Sequence, residues 1–453
     1  MILLPIRGGN WNNAANAGVF ALNVENDRTN ANTNIGCRPA LEMRQKRATD
    51  SVARQCLSQK DARSSVSHRK IVQAGRSSSR CDRSAPPPSA MAKTYTDLFE
   101  QIYRFDSLHA AYRRARLGKR TRTPVLRFEQ DLEGNLIELQ NQLIWGEYRT
   151  GRYHHFNVFE PKCREVAALP FRDRVLQHSL VAAIEPIWEH RFIADSYACR
   201  PGRGMHRGAD RAQALLRKVQ REHGRVFVLK ADIAKFFANI DHGVLGRLIG
   251  KHIGCRETLT LCSEIIASTA APGDLSPKGL PIGNLTSQLW ANIYLHQLDL
   301  YVKHVLRCHA YVRYMDDFVF VHHDKGWLHE TRARVEAFLR DQLRLETNRK
   351  TQVFPVARER GRGLDFLGYH LWPTHRRLRK SSVSRIRRTL KRMRRLYAEG
   401  EITLPEVRQS IVSWIAHTRH ANAHGLCEAV LSQFAFSTSR PFAPQLRANC
   451  DIT

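Results

Sequence analysis

Two carboxylates stand side by side at Asp316-Asp317, between the apolar stretches Tyr311-Val312-Arg313-Tyr314 and Phe318-Val319-Phe320-Val321. Two strand-like runs joined by so short a step predict a β-hairpin with acids at its tip, and acids there are costly to bury without cations. Asp also favours turns for local reasons, so an Asp-Asp pair alone has an ordinary explanation. A further acid upstream weakens it. Arg225-Val226-Phe227-Val228-Leu229-Lys230-Ala231 predicts a buried strand that delivers Asp232, followed by Ile233-Ala234-Lys235-Phe236-Phe237. An acid at the end of a core strand, with two aromatics behind it, is not turn chemistry. Asp232, Asp316 and Asp317, with the backbone carbonyl of Ile233, suit two Mg²⁺ ions roughly 3.5–4 Å apart, with Mn²⁺ as a substitute. Such a pair activates a 3′-hydroxyl and stabilises a leaving pyrophosphate.

The blocks around these acids resemble reverse transcriptases, in the family's order and over roughly residues 95 to 440. The resemblance implies an α+β right-hand polymerase fold with fingers, an antiparallel-sheet palm and a helical thumb, and an enzyme that polymerises dNTPs on RNA. Asp232 matches the first palm aspartate, and Asp316-Asp317 the acidic pair. Phe237 matches the aromatic gate that clashes with a ribose 2′-hydroxyl; a plain core phenylalanine is the other reading. Asn348-Arg349-Lys350-Thr351 matches the block whose lysine lies near the triphosphate, where an ammonium protonates the leaving group. Leu364-Asp365-Phe366-Leu367-Gly368-Tyr369 matches the strand and turn that brace the primer end. Upstream, the segment from Arg164 to His178 matches the fingers. Arg164 is the implied triphosphate contact, because a planar fork of donors suits phosphate oxygens. Arg172 and Arg174 open a predicted helix and have two readings, phosphate contact or pairing with Asp173 and backbone. Ser196-Tyr197-Ala198-Cys199-Arg200-Pro201-Gly202-Arg203-Gly204 matches the loop that tracks the template strand, which places Arg200 and Arg203 on nucleic acid.

The segment Leu280-Pro281-Ile282-Gly283-Asn284-Leu285-Thr286-Ser287-Gln288 narrows the resemblance. Most bacterial reverse transcriptases have glutamine and proline where this chain has Ile282 and Gln288. The variant resembles the enzymes of diversity-generating retroelements, which copy a template repeat with frequent errors opposite template adenines. A residue at 282 beneath the incoming base pair would lose a polar contact when aliphatic, loosening geometric selection; a packing variant without effect on fidelity is the alternative. The resemblance also implies a structured template-repeat RNA, its cDNA, and a small basic accessory variability protein that assembles as a ring. Rival readings are a retron, phage-defence or group II intron-type enzyme of ordinary fidelity, or a catalytically idle RNA-binding polymerase fold.

Composition agrees with a nucleic-acid partner. The formal net charge is +30 and the pI near 10.3, a field that attracts phosphate without reading sequence. No run approaches the ~18 apolar residues of a membrane span. The 10 cysteines contain no Cys-x-x-Cys pair, so reduced thiols in a cytoplasmic protein is the economical reading. Near the end, Val383, Ile386, Leu390, Met393 and Tyr397 recur at helical intervals with Arg388, Lys391, Arg392 and Arg395 among the residues between them. Thr403 and Glu406 announce a second helix by a capping-box pattern. This pair resembles a thumb gripping a template–product duplex, against the bland reading of a solvated basic face.

Residues 1–42, rich in asparagine without helical or strand period, resemble the end of the variable lectin-like proteins that such retroelements diversify. Read this way they are a template repeat translated from an upstream start codon, rather than a folded domain. Residues 43–90 read as a disordered basic leader. Residues 91–160 form an N-terminal helical segment and the start of fingers, 161–372 fingers and palm, and 373–453 the thumb, with Met91 as the working start. A genuine Asn-rich tail or RNA-binding arm is the alternative. Mass spectrometry of the native protein is expected to find no peptides from residues 10–40; finding them at full abundance sinks the read-through idea.

Overall fold

The structure, a computed structural model, describes residues 94–159, 163–270, 274, 276–359 and 361–437. The expected template repeat and leader lie outside the described residues. Four helices open the described chain: α1 (Phe99–Tyr103), α2 (Phe105–Ala115), α3 (Thr123–Gln130) and α4 (Leu132–Ile144). They occupy the stretch in which the sequence predicts helix. Leu108, Ala111 and Tyr112 of α2 and Leu136, Leu139 and Leu143 of α4 are buried, the helical spacing of an inward face. Both helices pack on the long α5 (Phe171–Glu189). Between them the antiparallel ribbon β1 (His154–Val158) and β2 (Arg164–Ala168) stands apart as its own small sheet.

The main sheet follows. Helix α6 (Met205–His223) stops at Gly224, whose φ of 71° is the left-handed cap that glycine favours. The chain continues through β3 (Phe227–Asp232), α7 (Phe236–Asn239), α8 (His242–Gly250), α9 (Arg256–Ala267) and α10 (Leu285–Leu300), which a π-helical turn over Tyr301–Val305 extends. Then come β4 (Tyr311–Tyr314), β5 (Asp317–His322), α11 (Lys325–Leu343) and β6 (Gln352–Pro355). The four strands lie in the order β4-β5-β3-β6, antiparallel at every junction. All four residues of β4 and the central four of β5 are buried, because α6 and α11 pack on the sheet. Burial on both faces is why these strands read as continuous apolar runs rather than alternating ones. Helix α10 is buried nearly all round, Trp290, Ile293 and Tyr294 included.

A three-stranded antiparallel sheet of β7 (Leu364–Phe366), β8 (Tyr369–Leu371) and β9 (Arg376–Leu378) leads to α12 (Lys380–Ala398), α13 (Leu404–Thr418) and α14 (His424–Leu431). The predicted capping box is present at the start of α13. Ile386, Leu390, Trp414 and Val430 form a small apolar cluster separate from the main core.

The loop before α10 is seated on the ribbon. The Ala167 N–H donates to the Ile282 carbonyl at 3.0 Å. Next in line, Gly283 has φ +126°, and a Cβ there would lie 2.9 Å from the Ala167 carbonyl oxygen. Gly283→Ala is therefore expected to lower stability by about 1–3 kcal/mol, read from the urea midpoint, through backbone strain and displacement of the ribbon.

Candidate active site

Antiparallel pairing of β3 with β5 sets Asp232 directly opposite Asp317. Side chains so paired share one sheet face, their Cβ atoms about 4.5–5.5 Å apart. Strands β4 and β5 are joined by Met315 and Asp316 alone, since Tyr314 already pairs with Asp317. Met315 takes up the reversal with φ 55°. The Ile233 N–H donates to the Asp316 carbonyl at 3.3 Å, and the Asn348 N–H to the Asp232 carbonyl at 2.6 Å. Asn348 Nδ2 also donates to Asp232 Oδ2 at 3.4 Å. Three chain segments thus converge on one cluster of acids, with the loop that bears Lys350 along its edge.

The cluster is electrostatically strained. Burial first, then the charge of Asp232, pushes the Asp316 carboxyl up to about 7, while Arg164 pulls it down. Burial also pushes Asp317 up to about 6, opposed by Lys230. Lys230 Nζ lies 3.4 Å from Asp317 Oδ2, whereas Oδ1 is buried without a hydrogen-bond partner. Among the described residues no three Cys, His, Asp or Glu side chains are already gathered as a cation cage. The donors nevertheless fit hard divalent cations: all are oxygens, one of Asp317 has no hydrogen-bond partner, and burial raises the carboxyls of Asp316 and Asp317.

The other expected site residues fall into groups. Arg164, half-buried on β2, is close enough to Asp316 to act on its charge. Lys350 is exposed, two residues past Asn348. Phe237 is buried in α7, its ring edge-on to Phe236 at 5.4 Å. Ile282 is half-buried in the loop seated on the ribbon, and Gln288 half-buried in the first turn of α10. Arg203 is half-buried over the Tyr197 ring. Arg388, Lys391, Arg392 and Arg395 are exposed and line, with Ala398, Ala435 and Ser437, a groove of about 780 Å³. Arg172 and Arg174 take the pairing option: Arg172 Nη2 lies 3.6 Å from Asp173 and Arg174 Nε donates to the Leu169 carbonyl at 2.8 Å.

Arg200 corrects an expectation. It is buried, its Nε and Nη2 donating to Glu189 at 2.9 and 2.7 Å. Its Nη1 donates to the carbonyls of Ile193 at 2.6 Å and Ser196 at 2.9 Å. With its donors engaged inside the protein, Arg200 braces the loop and is not presented to a phosphate. Two residues that motif reasoning passed over matter more. Lys230 donates to the Asp365 carbonyl at 2.7 Å besides facing Asp317; its place two residues before Asp232 puts it on the acids' face. Arg313 is fully buried beside Asp299, and a lone charge in an apolar run was the signal for it.

Because burial and mutual repulsion raise both acids, ionising them is costlier folded than unfolded. Without divalent cations the wild-type protein therefore loses stability as pH rises from near 4 through about 7. Asp316→Asn is expected to raise the melting temperature by about 2–4 °C at pH 8 in EDTA, with the gap narrowing as pH falls. A lower melting temperature at pH 8 would refute the strain.

Residues 159–371 match the family model described as reverse transcriptase (RNA-dependent DNA polymerase). Protein YkfC of Escherichia coli (strain K12) is 26% identical over 276 residues, covering 51% of this chain and 70% of that protein. The group II intron-encoded protein LtrA of Lactococcus lactis subsp. cremoris is 28% identical over 227 residues, 46% of this chain and 36% of LtrA. A structure of telomerase from Candida tropicalis in complex with a fragment of telomeric RNA aligns with TM-score 0.39 and 12% identity, over 66% of this chain and 59% of that one. The acids paired across β3 and β5 lie inside the segment that matches the reverse transcriptase family model, and together these findings support an RNA-directed DNA polymerase.

Proposed function

We propose that this RNA-directed DNA polymerase copies a template-repeat RNA into cDNA with adenine-biased errors, for mutagenic retrohoming that diversifies a target protein gene. The observation that carries the chemistry is the strained cluster of Asp232, Asp316 and Asp317, with its orphaned Asp317 oxygen. In this reading the four-stranded sheet is the palm, β1, β2 and α5 belong to the fingers, and α12 to α14 are the thumb. Asp232, Asp316, Asp317 and the Ile233 carbonyl would hold two Mg²⁺ ions, which would supply neutralisation of the acids, activation of the primer hydroxyl and stabilisation of the leaving pyrophosphate.

The chain's own residues do the rest. Arg164, near enough to Asp316 to lower that carboxyl's pKa, binds the triphosphate with its planar fork. Lys350, exposed beside the Asn348 contact, gives a proton to the departing pyrophosphate. Phe237 stands five residues past Asp232 as the sugar gate. Arg203 follows the template strand, and Arg388, Lys391, Arg392 and Arg395 grip the duplex backbones in their groove. Ile282 and Gln288 flank the nascent pair, with Ile282 offering it no amide. The structured RNA and a basic accessory ring complete the assembly.

A second reading, a reverse transcriptase of ordinary fidelity, draws on the similarity to the group II intron-encoded protein LtrA. Primer extension on a defined RNA, with the RNA and accessory partners supplied, separates the two. Errors opposite template adenine are expected to exceed those opposite other bases by at least about tenfold, a difference of ~1.4 kcal/mol in discrimination. Ile282→Gln is expected to narrow that gap, and Asp316→Ala to abolish product. Accurate copying opposite adenine would leave the ordinary reading standing; full product from Asp316→Ala would remove the enzyme mechanism altogether.

A further inference from the structure

Arg313 interrupts an apolar strand and is fully buried, as are Asp299, Asn292 and Tyr311 around it. Its guanidinium meets Asp299 as a fork, Nε to Oδ1 at 2.8 Å and Nη2 to Oδ2 at 2.6 Å. The Tyr311 hydroxyl donates to the same carboxylate at 2.9 Å. The remaining nitrogen, Nη1, donates to the Asn292 side-chain carbonyl and to the main-chain carbonyl of Met315, each at 3.2 Å. Asn292 and Asp299 lie two turns apart on one face of α10. Asn292 is itself fixed by donating to the Ala198 carbonyl at 2.9 Å.

An ion pair this deep is a poor source of stability, since apolar residues of similar volume usually serve as well. Its persistence calls for something apolar residues cannot do, and the Met315 carbonyl supplies it. Met315 sits at φ 55°, a left-handed conformation that a residue with a side chain adopts only against steric resistance. A charged donor on its carbonyl, itself held by Asp299 of α10, fixes the plane of the peptide joining Met315 to Asp316. From the other side, the Ile233 N–H holds the Asp316 carbonyl. Asp316 is thus carried on a turn whose peptides are pinned front and back.

We propose that Arg313 is a positioning residue for DNA synthesis: through the Met315 carbonyl it sets the turn that presents Asp316 to the cations opposite Asp232. The inference rests on the polymerase reading given above. The acid would still be present without Arg313, but misplaced, and misplacement near 1 Å costs about a hundredfold in such chemistry.

Two variants test this beside the wild type. Arg313→Lys keeps a charge for Asp299 and gives up the fork that reaches Met315. The triple variant Arg313→Met, Asp299→Leu, Tyr311→Phe replaces the whole ion pair by apolar groups of similar volume, leaving the Met315 carbonyl without its donor. Both are expected to melt within a few degrees of wild type and to lose at least about tenfold in kcat, with dNTP KM and template affinity within about threefold. The Mg²⁺ concentration giving half of the thermal shift is expected to rise in both. Recovery of kcat together with stability in the triple variant would make Arg313 a folding residue only and overturn the proposal, as would an unchanged kcat in folded Arg313→Lys. Absence of any DNA product from wild type would remove the polymerase reading instead; the Mg²⁺ titration would then decide, with unchanged half-saturation in Arg313→Lys counting against the positioning role.

Discussion

Mutual repulsion among three carboxylates on one partly buried sheet face is the constraint around which the domain is arranged. A sheet would avoid placing Asp232 opposite Asp317 with Asp316 at the adjoining turn, because like charges directly across a ladder destabilise it. The register that enforces this is itself set by apolar packing: Val228, Leu229, Phe318, Val319 and Phe320 are buried on both sides of the sheet. A slip by one residue would turn every one of these side chains to the opposite face. The hydrophobic register thus holds the acids in a geometry that electrostatics alone would reject.

The surrounding polar groups moderate this strain without cancelling it. Lys230 meets one oxygen of Asp317 and, through the Asp365 carbonyl, ties the acids to the sheet that precedes the C-terminal helices. Asp365 in turn pairs with Arg379 at the foot of α12. Asn348 caps Asp232, and Arg164 stands off Asp316. Burial still keeps the carboxyls of Asp316 and Asp317 raised, a strain that a divalent cation would relieve.

Much of this was legible in the sequence. The acids, their strands and the hairpin could be read because short apolar runs bounded by polar steps leave few alternatives, and α12 and the α13 cap followed from periodicity and capping chemistry. Arg200 was misread for a physical reason: its partner Glu189 and the carbonyls of Ile193 and Ser196 enclose it in three dimensions, while a glycine-spaced basic loop looks open on paper. A lone charge in an apolar run marks Arg313, but its partners and those of Lys230 are not readable from sequence for the same cause, since Asp299 and Asp365 reach them only through the fold. Phe237 and Ile282 had two readings each from sequence. Burial of Phe237 and the backbone seat of Ile282 describe their packing, whereas selectivity depends on substrates.

The separate cluster of Ile386, Leu390, Trp414 and Val430 bears on cooperativity. The helices that share it meet the rest of the domain through polar contacts, such as Arg376 of β9 with the His420 carbonyl and Tyr369 with His417, and through a few apolar ones, Val383 and Leu426 among them. Such a unit opens at a lower free energy than the main core, so its amide hydrogens exchange with solvent sooner than those of β3 or β5. A polyanion seated in the arginine groove would bind only the closed form and slow that exchange by mass action. Amide protection of α12 would therefore report polyanion occupancy of that groove, readable with no chemistry taking place.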